Sequence, residues 1–211
     1  MFVTFEGIEG AGKSTAMALL SQMLREAGHD PLLTREPGAS GLGQRLRPML
    51  LDASADGICP LAELFLFLAD RAQHAHEVIG PALAAGRIVL CDRYADSTLA
   101  YQGAGRGIDD VMLLQAAGIS TAGLRPDLTF LLDLPVKLGL GRAARRNRSQ
   151  GLEISEGRFD SESESFHGRI RQAYLRLAAA EPDRIAVLDA TRSPEEIAAR
   201  CMATLAPRLK A

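Results

Sequence analysis

Gly7-Ile8-Glu9-Gly10-Ala11-Gly12-Lys13-Ser14, preceded by the apolar run Phe2-Val3-Thr4-Phe5, decides how the rest of the chain is read. The spacing is G-x-x-x-x-G-K-S. A strand that runs into glycines and then into an amphipathic helix is the context in which this spacing makes a phosphate cradle. Glycines let backbone N–H groups turn inward around an anion with no Cβ in the way. A helix starting near Lys13 adds the positive end of its dipole. Gly7 through Thr15 then wrap a nucleoside triphosphate, Lys13 reaches its β- and γ-phosphates, and Ser14 holds Mg²⁺. Glu9 is out of place in an anion loop, because a carboxylate repels phosphate. Its useful tasks are to accept a sugar hydroxyl of a second substrate or to order metal-bound water; otherwise it is a solvated bystander.

Working outward, strand patterns fall at Phe2–Glu6, Pro31–Thr34, Arg87–Cys91, Leu128–Leu132 and Arg184–Leu188. Helical patterns lie between and after them, at Lys13–Ala27, Gly43–Leu51, Leu61–Ala85, Asp109–Ala117, Val136–Asn147, Glu164–Ala180 and Pro194–Leu205. This alternation predicts an α/β fold, a five-stranded parallel sheet covered by helices on both faces. Ligands of such sheets bind outside the carboxyl ends of the strands. The residues at that edge are Gly7–Ser14, Arg35-Glu36-Pro37-Gly38, Asp92-Arg93-Tyr94 and Asp133.

The 211 residues are read as one domain, 1–211, and 47% hydrophobic content supplies a full core. With 24 Lys+Arg against 26 Asp+Glu, the net charge of -2 argues against a dedicated nucleic-acid binder. Cys59, Cys91 and Cys201 show no paired spacing and read as reduced thiols of a cytoplasmic protein. The chain starts on a strand pattern, so no signal peptide is expected, and no apolar run is long enough to span a membrane.

Asp92 ends an apolar strand, where a carboxylate serves Mg²⁺ in phosphate-loop enzymes or caps the following helix. Beside it, Arg93 suits a bidentate phosphate contact. In the helix from Leu61, the stripe Leu61, Leu64, Phe65 and Leu68 marks one face and Phe67, Arg71 and His74 mark another, so one face meets the core and the other a partner chain or a flat ligand. Phe67 either packs in the core or stacks a flat ligand whose edge Arg71 bonds one turn later. Arg142, Arg145, Arg146 and Arg148 cluster within seven residues, followed by five acidic residues from Glu153 to Glu164. Phosphoryl transfer needs positive charge around the migrating group, and the phosphate loop carries only Lys13. Either this is a solvated charged helix or it is a mobile lid, about 142–160, bringing the missing charge.

Phe5–Ser14, Thr34-Arg35-Glu36-Pro37-Gly38, Leu68-Ala69-Asp70-Arg71-Ala72-Gln73-His74, Cys91-Asp92-Arg93-Tyr94 and Asp96–Gly103 stand in an order and spacing that resemble bacterial thymidylate kinases along nearly the whole chain. The resemblance implies a P-loop kinase fold with a short lid, and transfer of the ATP γ-phosphate to dTMP with Mg²⁺. It places Phe67 on thymine, Arg71 at its O4 edge, and Thr98 near N3/O4. Tyr101 takes the position where a ribose 2′-OH would lie. Glu9 falls at the 3′-OH or at metal-bound water. Arg93, with Arg47 and Arg35, holds the acceptor phosphate, and Glu36, Pro37, Ser97 and Gln102 belong to the same dTMP pocket. Adenine meets the loop at Ala190-Thr191, Lys13 and Arg93 act in catalysis, and Ser14 and Asp92 serve the metal. Without an arginine in the phosphate loop, the chain resembles the subtype whose catalytic arginine is in the lid, with Arg146 and Arg148 as candidates. Gly157 departs from the aspartate usual in the family's lid, which puts lid anchoring in question. The family also implies a homodimer formed through the region around Leu61–Leu68. Two rivals remain: another monophosphate kinase acting on AMP, GMP or CMP, and a nucleotide switch, which would be expected to carry N-K-x-D for guanine; the sequence has none.

Overall fold

Five short strands, β1 (Phe2–Glu6), β2 (Leu32–Arg35), β3 (Val89–Asp92), β4 (Leu128–Asp133) and β5 (Ile185–Asp189), pair in parallel in the order β2-β3-β1-β4-β5. The computed structural model describes residues 1–54, 57–152, 155 and 157–209. Every β1 residue is buried, and so is β4 from Leu128 to Leu132. Successive strand side chains point to opposite faces, so unbroken burial means that helices cover both faces. Phe5 pairs with Asp92 on one side and Phe130 on the other, which sets the ends of β1, β3 and β4 level at one edge.

The helices are α1 (Lys13–Glu26), α2 (Gly41–Leu51), α3 (Pro60–His74), α4 (Gly80–Ala84), α5 (Ala95–Thr98), α6 (Asp110–Ser120), α7 (Val136–Gln150), α8 (Glu164–Ala180) and α9 (Pro194–Leu205). The single helix expected over Leu61–Ala85 is instead α3 and α4 joined by a π-helical turn at Ala75–Ile79. Pro81 explains the break: it has no N–H to continue the ladder, so the turn widens ahead of it. A second π-helical segment, Leu99–Gly105, continues α5 and has no periodic signal in the sequence. It lies against α8 so closely that a Cβ at Gly105 would meet Phe166 Cε2 at 2.8 Å.

The inner and outer faces of α3 differ sharply in chemistry. The buried residues of α3 are Glu63, Leu64, Asp70, Arg71 and His74, while Leu61 and Phe65 of the apolar stripe are 45% and 61% exposed. The inner face is polar because its charges find partners there. Glu36 pairs with Arg71 and His74, and Glu63 pairs with Arg106 and Arg158. Hydrophobic spacing alone cannot say which face a paired set of charges will take.

Candidate active site

The loop after β1 winds back against α7. Gly10 sits at φ 69°, and a Cβ there would lie 2.0 Å from the Gly139 carbonyl oxygen, so only glycine fits. Gly12, itself left-handed, occupies the cap position of α1 and brings no side chain to its N-terminal N–H groups. Lys13 Nζ donates to the carbonyls of Gly7 and Ile8, each at 3.1 Å. Burial, then the nearby Arg93 charge, pulls its pKa down to about 8 against the pull of Asp92 and Glu9. Ser14 Oγ donates to Asp92 Oδ2 at 2.6 Å, so the two expected metal-side groups are together across the β1–β3 edge.

A cleft of about 680 Å³ runs from this loop to a second, denser pocket. Arg93 stands between them. Its backbone is left-handed at φ 69°, and its N–H is fixed on the Phe5 carbonyl at 3.0 Å. Its Nη2 donates to Glu9 Oε1 at 3.0 Å, and its guanidinium lies 4.8 Å from the Tyr101 ring centroid. Tyr101 OH donates to the same Glu9 oxygen at 2.6 Å. Burial alone would raise the Glu9 pKa, but Arg93, His167 and Lys13 together hold it well below the usual carboxylate range. Glu9 is therefore an ionised, oriented acceptor rather than a bystander.

Arg71 is 2% exposed and anchored on three sides: Nε to Glu36 Oε2 at 2.9 Å, Nη1 to Thr98 Oγ1 at 2.7 Å, and Nη2 to the Tyr94 carbonyl at 3.0 Å. Two of its five N–H groups remain beyond these bonds. Glu36 borders the cleft, but its two oxygens are taken by Arg71 and by His74 Nδ1, the latter at 2.9 Å. Its visible task is to hold Arg71. Thr98, Phe67, Tyr101 and Gln102 all line the cleft, as do Arg35, Pro37, Arg47 and Ser97. Gln102 is fixed by its Nε2 donating to Glu63 Oε1 at 2.8 Å. Phe67 is half-buried, packed on the core, and faces Phe159 at 6.1 Å between ring centroids; core contact and cleft lining are both present.

Of the arginine cluster, Arg142 and Arg146 reach the cleft. Arg145 and Arg148 are exposed outside its lining; of the two candidates for a lid arginine, Arg146 borders the cleft and Arg148, two residues on along α7, lies on another face. Arg142 Nη1 donates to the Ala190 carbonyl at 2.8 Å, tying α7 to the loop after β5. Arg146 donates to Asn147 Oδ1 and lies 3.7 Å from Asp160. Residues 153, 154 and 156, including Glu153 and Glu156 of the acidic run, lie outside the described residues. The segment after them is anchored without an aspartate at 157. Arg158 donates to the Leu50 carbonyl at 2.9 Å and to Glu63 at 2.6 Å, while Arg106 pairs with Glu162 at 2.5 Å.

The sequence reading did not single out Glu6, Phe159, Asp160, His167 or Tyr174. Glu6 ends β1 fully buried and accepts from Tyr94 N–H at 2.8 Å, Ser97 Oγ at 2.7 Å and Tyr174 OH at 2.7 Å. Burial, then repulsion from Asp96, pushes its pKa up to about 7. The only available signal was an acidic residue within a strand that must be covered on both faces.

A phosphate loop facing a second, arginine-anchored pocket across the β1–β3 edge of a parallel sheet defines a P-loop nucleotide phosphotransferase. The family model described as thymidylate kinase matches residues 5–201. The chain is 60% identical over 210 residues to the thymidylate kinase of Desulfovibrio desulfuricans, covering 100% of this chain and 97% of that protein. It is 56% identical to the thymidylate kinase of Nitratidesulfovibrio vulgaris, covering 93% and 92%. The crystal structure of thymidylate kinase from Ehrlichia chaffeensis superposes with a TM-score of 0.76 at 32% identity, covering 97% and 98%. The chain belongs to the thymidylate kinase family, whose reaction is ATP-dependent phosphorylation of dTMP.

Proposed function

We propose that this cleft binds MgATP on the Gly7–Thr15 loop and dTMP in the pocket around Arg71, and joins them by in-line phosphoryl transfer. The observation that carries the reading is Arg93, a left-handed residue locked to Glu9 where donor loop and acceptor pocket meet. A dTMP phosphate oxygen forms a bond to the γ-phosphorus as the β–γ bridging bond breaks, leaving ADP and dTDP. The attacking oxygen is already anionic, so no strong general base is needed; positioning and charge do the work. Lys13 neutralises the donor phosphates, Arg93 with Arg47 and Arg35 holds the acceptor phosphate, and Arg146 supplies lid charge. Arg71 and Thr98 read the base edge, Phe67 its face, and Tyr101 excludes a 2′-hydroxyl. Gln102 and Pro37 line the pocket.

A hydroxyl and a carboxylate, Ser14 and Asp92, fit Mg²⁺, which keeps several waters and takes phosphate oxygens rather than an all-protein cage. The ion would neutralise charge on the β- and γ-phosphates. We place the enzyme in the cytoplasm, from its cysteine usage, as one domain with a lid over about 142–160. No helix among the described residues is long and apolar enough to cross a membrane. The outward Leu61 and Phe65 of α3 support a homodimer through that face. A monomer in sedimentation at micromolar concentration would remove that part.

Coupled assays with dTMP, dUMP, AMP, GMP and CMP test the acceptor. dTMP should exceed AMP, GMP and CMP in kcat/KM by at least about 10³, since an unsatisfied base edge beside buried polar groups is heavily penalised. Preference for AMP, GMP or CMP would reassign the pocket.

A further inference from the structure

Glu9 has a partner that phosphate binding does not explain. His167 on α8 is 0% exposed, and both of its ring nitrogens face acceptors. Nε2 lies 3.0 Å from the carbonyl oxygen of Phe159. Nδ1 lies 3.1 Å from Oε2 of Glu9, an ion-pair contact off the line of a straight hydrogen bond. A carbonyl oxygen and an ionised carboxylate only accept. Neutral imidazole has one N–H and would turn a lone pair on one of these two oxygens; the imidazolium serves both.

We infer that His167 is a positioning residue for acceptor recognition, working as an imidazolium that fixes the Glu9 carboxylate to the Phe159 segment of the lid. The inference rests on Glu9 contacting the acceptor sugar. Glu9 Oε1 is held by Arg93 and Tyr101, so His167 is what constrains the other oxygen. Loss of one ring proton turns a lone pair toward either Glu9 Oε2 or the Phe159 carbonyl, so one end of the link between them is lost. The groups that face this contact are Glu9 and Lys13 from the phosphate loop and α1, Arg93 after β3, Tyr101 on the Leu99–Gly105 segment, and Asp160 beside Phe159. Burial works against the charged ring, but Glu9, the Phe159 carbonyl and Asp160 outweigh it and raise its pKa above the ordinary histidine value. The contact is thus complete at low pH and lost as pH rises through the raised pKa.

Thymidine is the binding probe, because the dTMP phosphate itself titrates near pH 6. Calorimetry from pH 5.5 to 9.5 should show thymidine affinity of the native enzyme constant at the acid end. It should weaken about tenfold through the ring's titration, as expected when one charged contact in a buried site is lost. His167→Gln should bind about tenfold more weakly at low pH and lack that break, with kcat at saturating dTMP within about threefold of native. The same break in His167→Gln would assign the titration to Lys13 or another neighbour and overturn the inference. Nitrogen NMR of histidine-labelled native enzyme needs neither a variant nor a substrate. Two protonated ring nitrogens for His167 at the acid end, titrating with a midpoint above that of free histidine, support the inference; a single protonated nitrogen throughout, or a midpoint at or below the free value, overturns it. Failure of native enzyme to turn over dTMP would count against the acceptor reading alone, since the NMR result stands without it.

Discussion

Ser14 and Arg71 border the same cleft, yet Ser14 is exposed with Asp92 as its hydrogen-bond partner, and Arg71 is buried with three. The contrast holds for their surroundings. The donor end is built from backbone: left-handed glycines, the start of α1, and Lys13 resting on loop carbonyls. The acceptor end is built from side chains that hold one another. His74 and Arg71 share Glu36, Arg93 and Tyr101 share Glu9, and Ser97 and Tyr174 share Glu6. A donor-end substitution should therefore subtract one group's chemistry. An acceptor-end substitution should spread, because each removal strands a buried partner.

The sharpest break of this contrast comes from the lid. Arg146→Ala should cost roughly 10³-fold in kcat, the scale of a transition-state arginine, with dTMP affinity and folding stability little changed. Arg148→Ala should stay within about twofold, as expected of an exposed side chain outside the cleft. Single-turnover kinetics measures both. Equal losses would mean that α7 turns on closure, and the donor end would then be less fixed than its backbone suggests.

That difference in construction also governs what the sequence could disclose. Residues 7–15 are contiguous, and their chemistry follows from local glycine spacing, so the donor end was readable directly, as was the five-strand order of β and α patterns. The acceptor end joins residues as far apart as Glu6 and Tyr174, 168 positions in sequence. No periodicity records such a pairing. Arg71 was legible only as an edge-bonding possibility one turn after Phe67; Thr98 and Tyr101 entered through family resemblance; and Tyr174 and His167 sit in an ordinary-looking amphipathic helix. Which face of α3 turns inward was left open for a related reason: it is chosen by ion pairs to Glu36, Arg106 and Arg158, not by the helix's own apolar stripe.

Coupling within the acceptor end can be measured as stability. Arg71→Met leaves the Glu36 carboxylate buried and short of its charge partner, and should cost about 3 kcal/mol in urea unfolding. Glu36→Gln strands Arg71 similarly. The double variant should cost less than the sum by at least about 1 kcal/mol, because the second change removes the group that the first had left unpaired. Ser14→Ala, the donor-end control, should stay within about 0.5 kcal/mol. Additive losses at Arg71 and Glu36 would show that the two ends differ only in burial and not in coupling.

The smallest effect isolates Glu6, beneath Arg93. Its folded pKa is raised from 4.5 to about 7, by burial first and Asp96 second. Below the unfolded value both states carry the proton. Between about pH 4.5 and 7 only the folded state does, so protonation favours folding there and the favour is withdrawn as pH rises. Stability attributable to Glu6 should fall by up to about 1.4 kcal/mol per pH unit across that window and level off above it. Asp70, raised to about 6, contributes a slope of the same sign, so the informative quantity is native minus Glu6→Gln at each pH. Gln keeps a carbonyl oxygen for Tyr94 N–H but cannot titrate. A difference that is flat, or that rises with pH, would mean that Glu6 is ionised under Arg93 throughout, and that the left-handed arginine rests on a charge pair rather than on a neutral hydrogen-bonded strut.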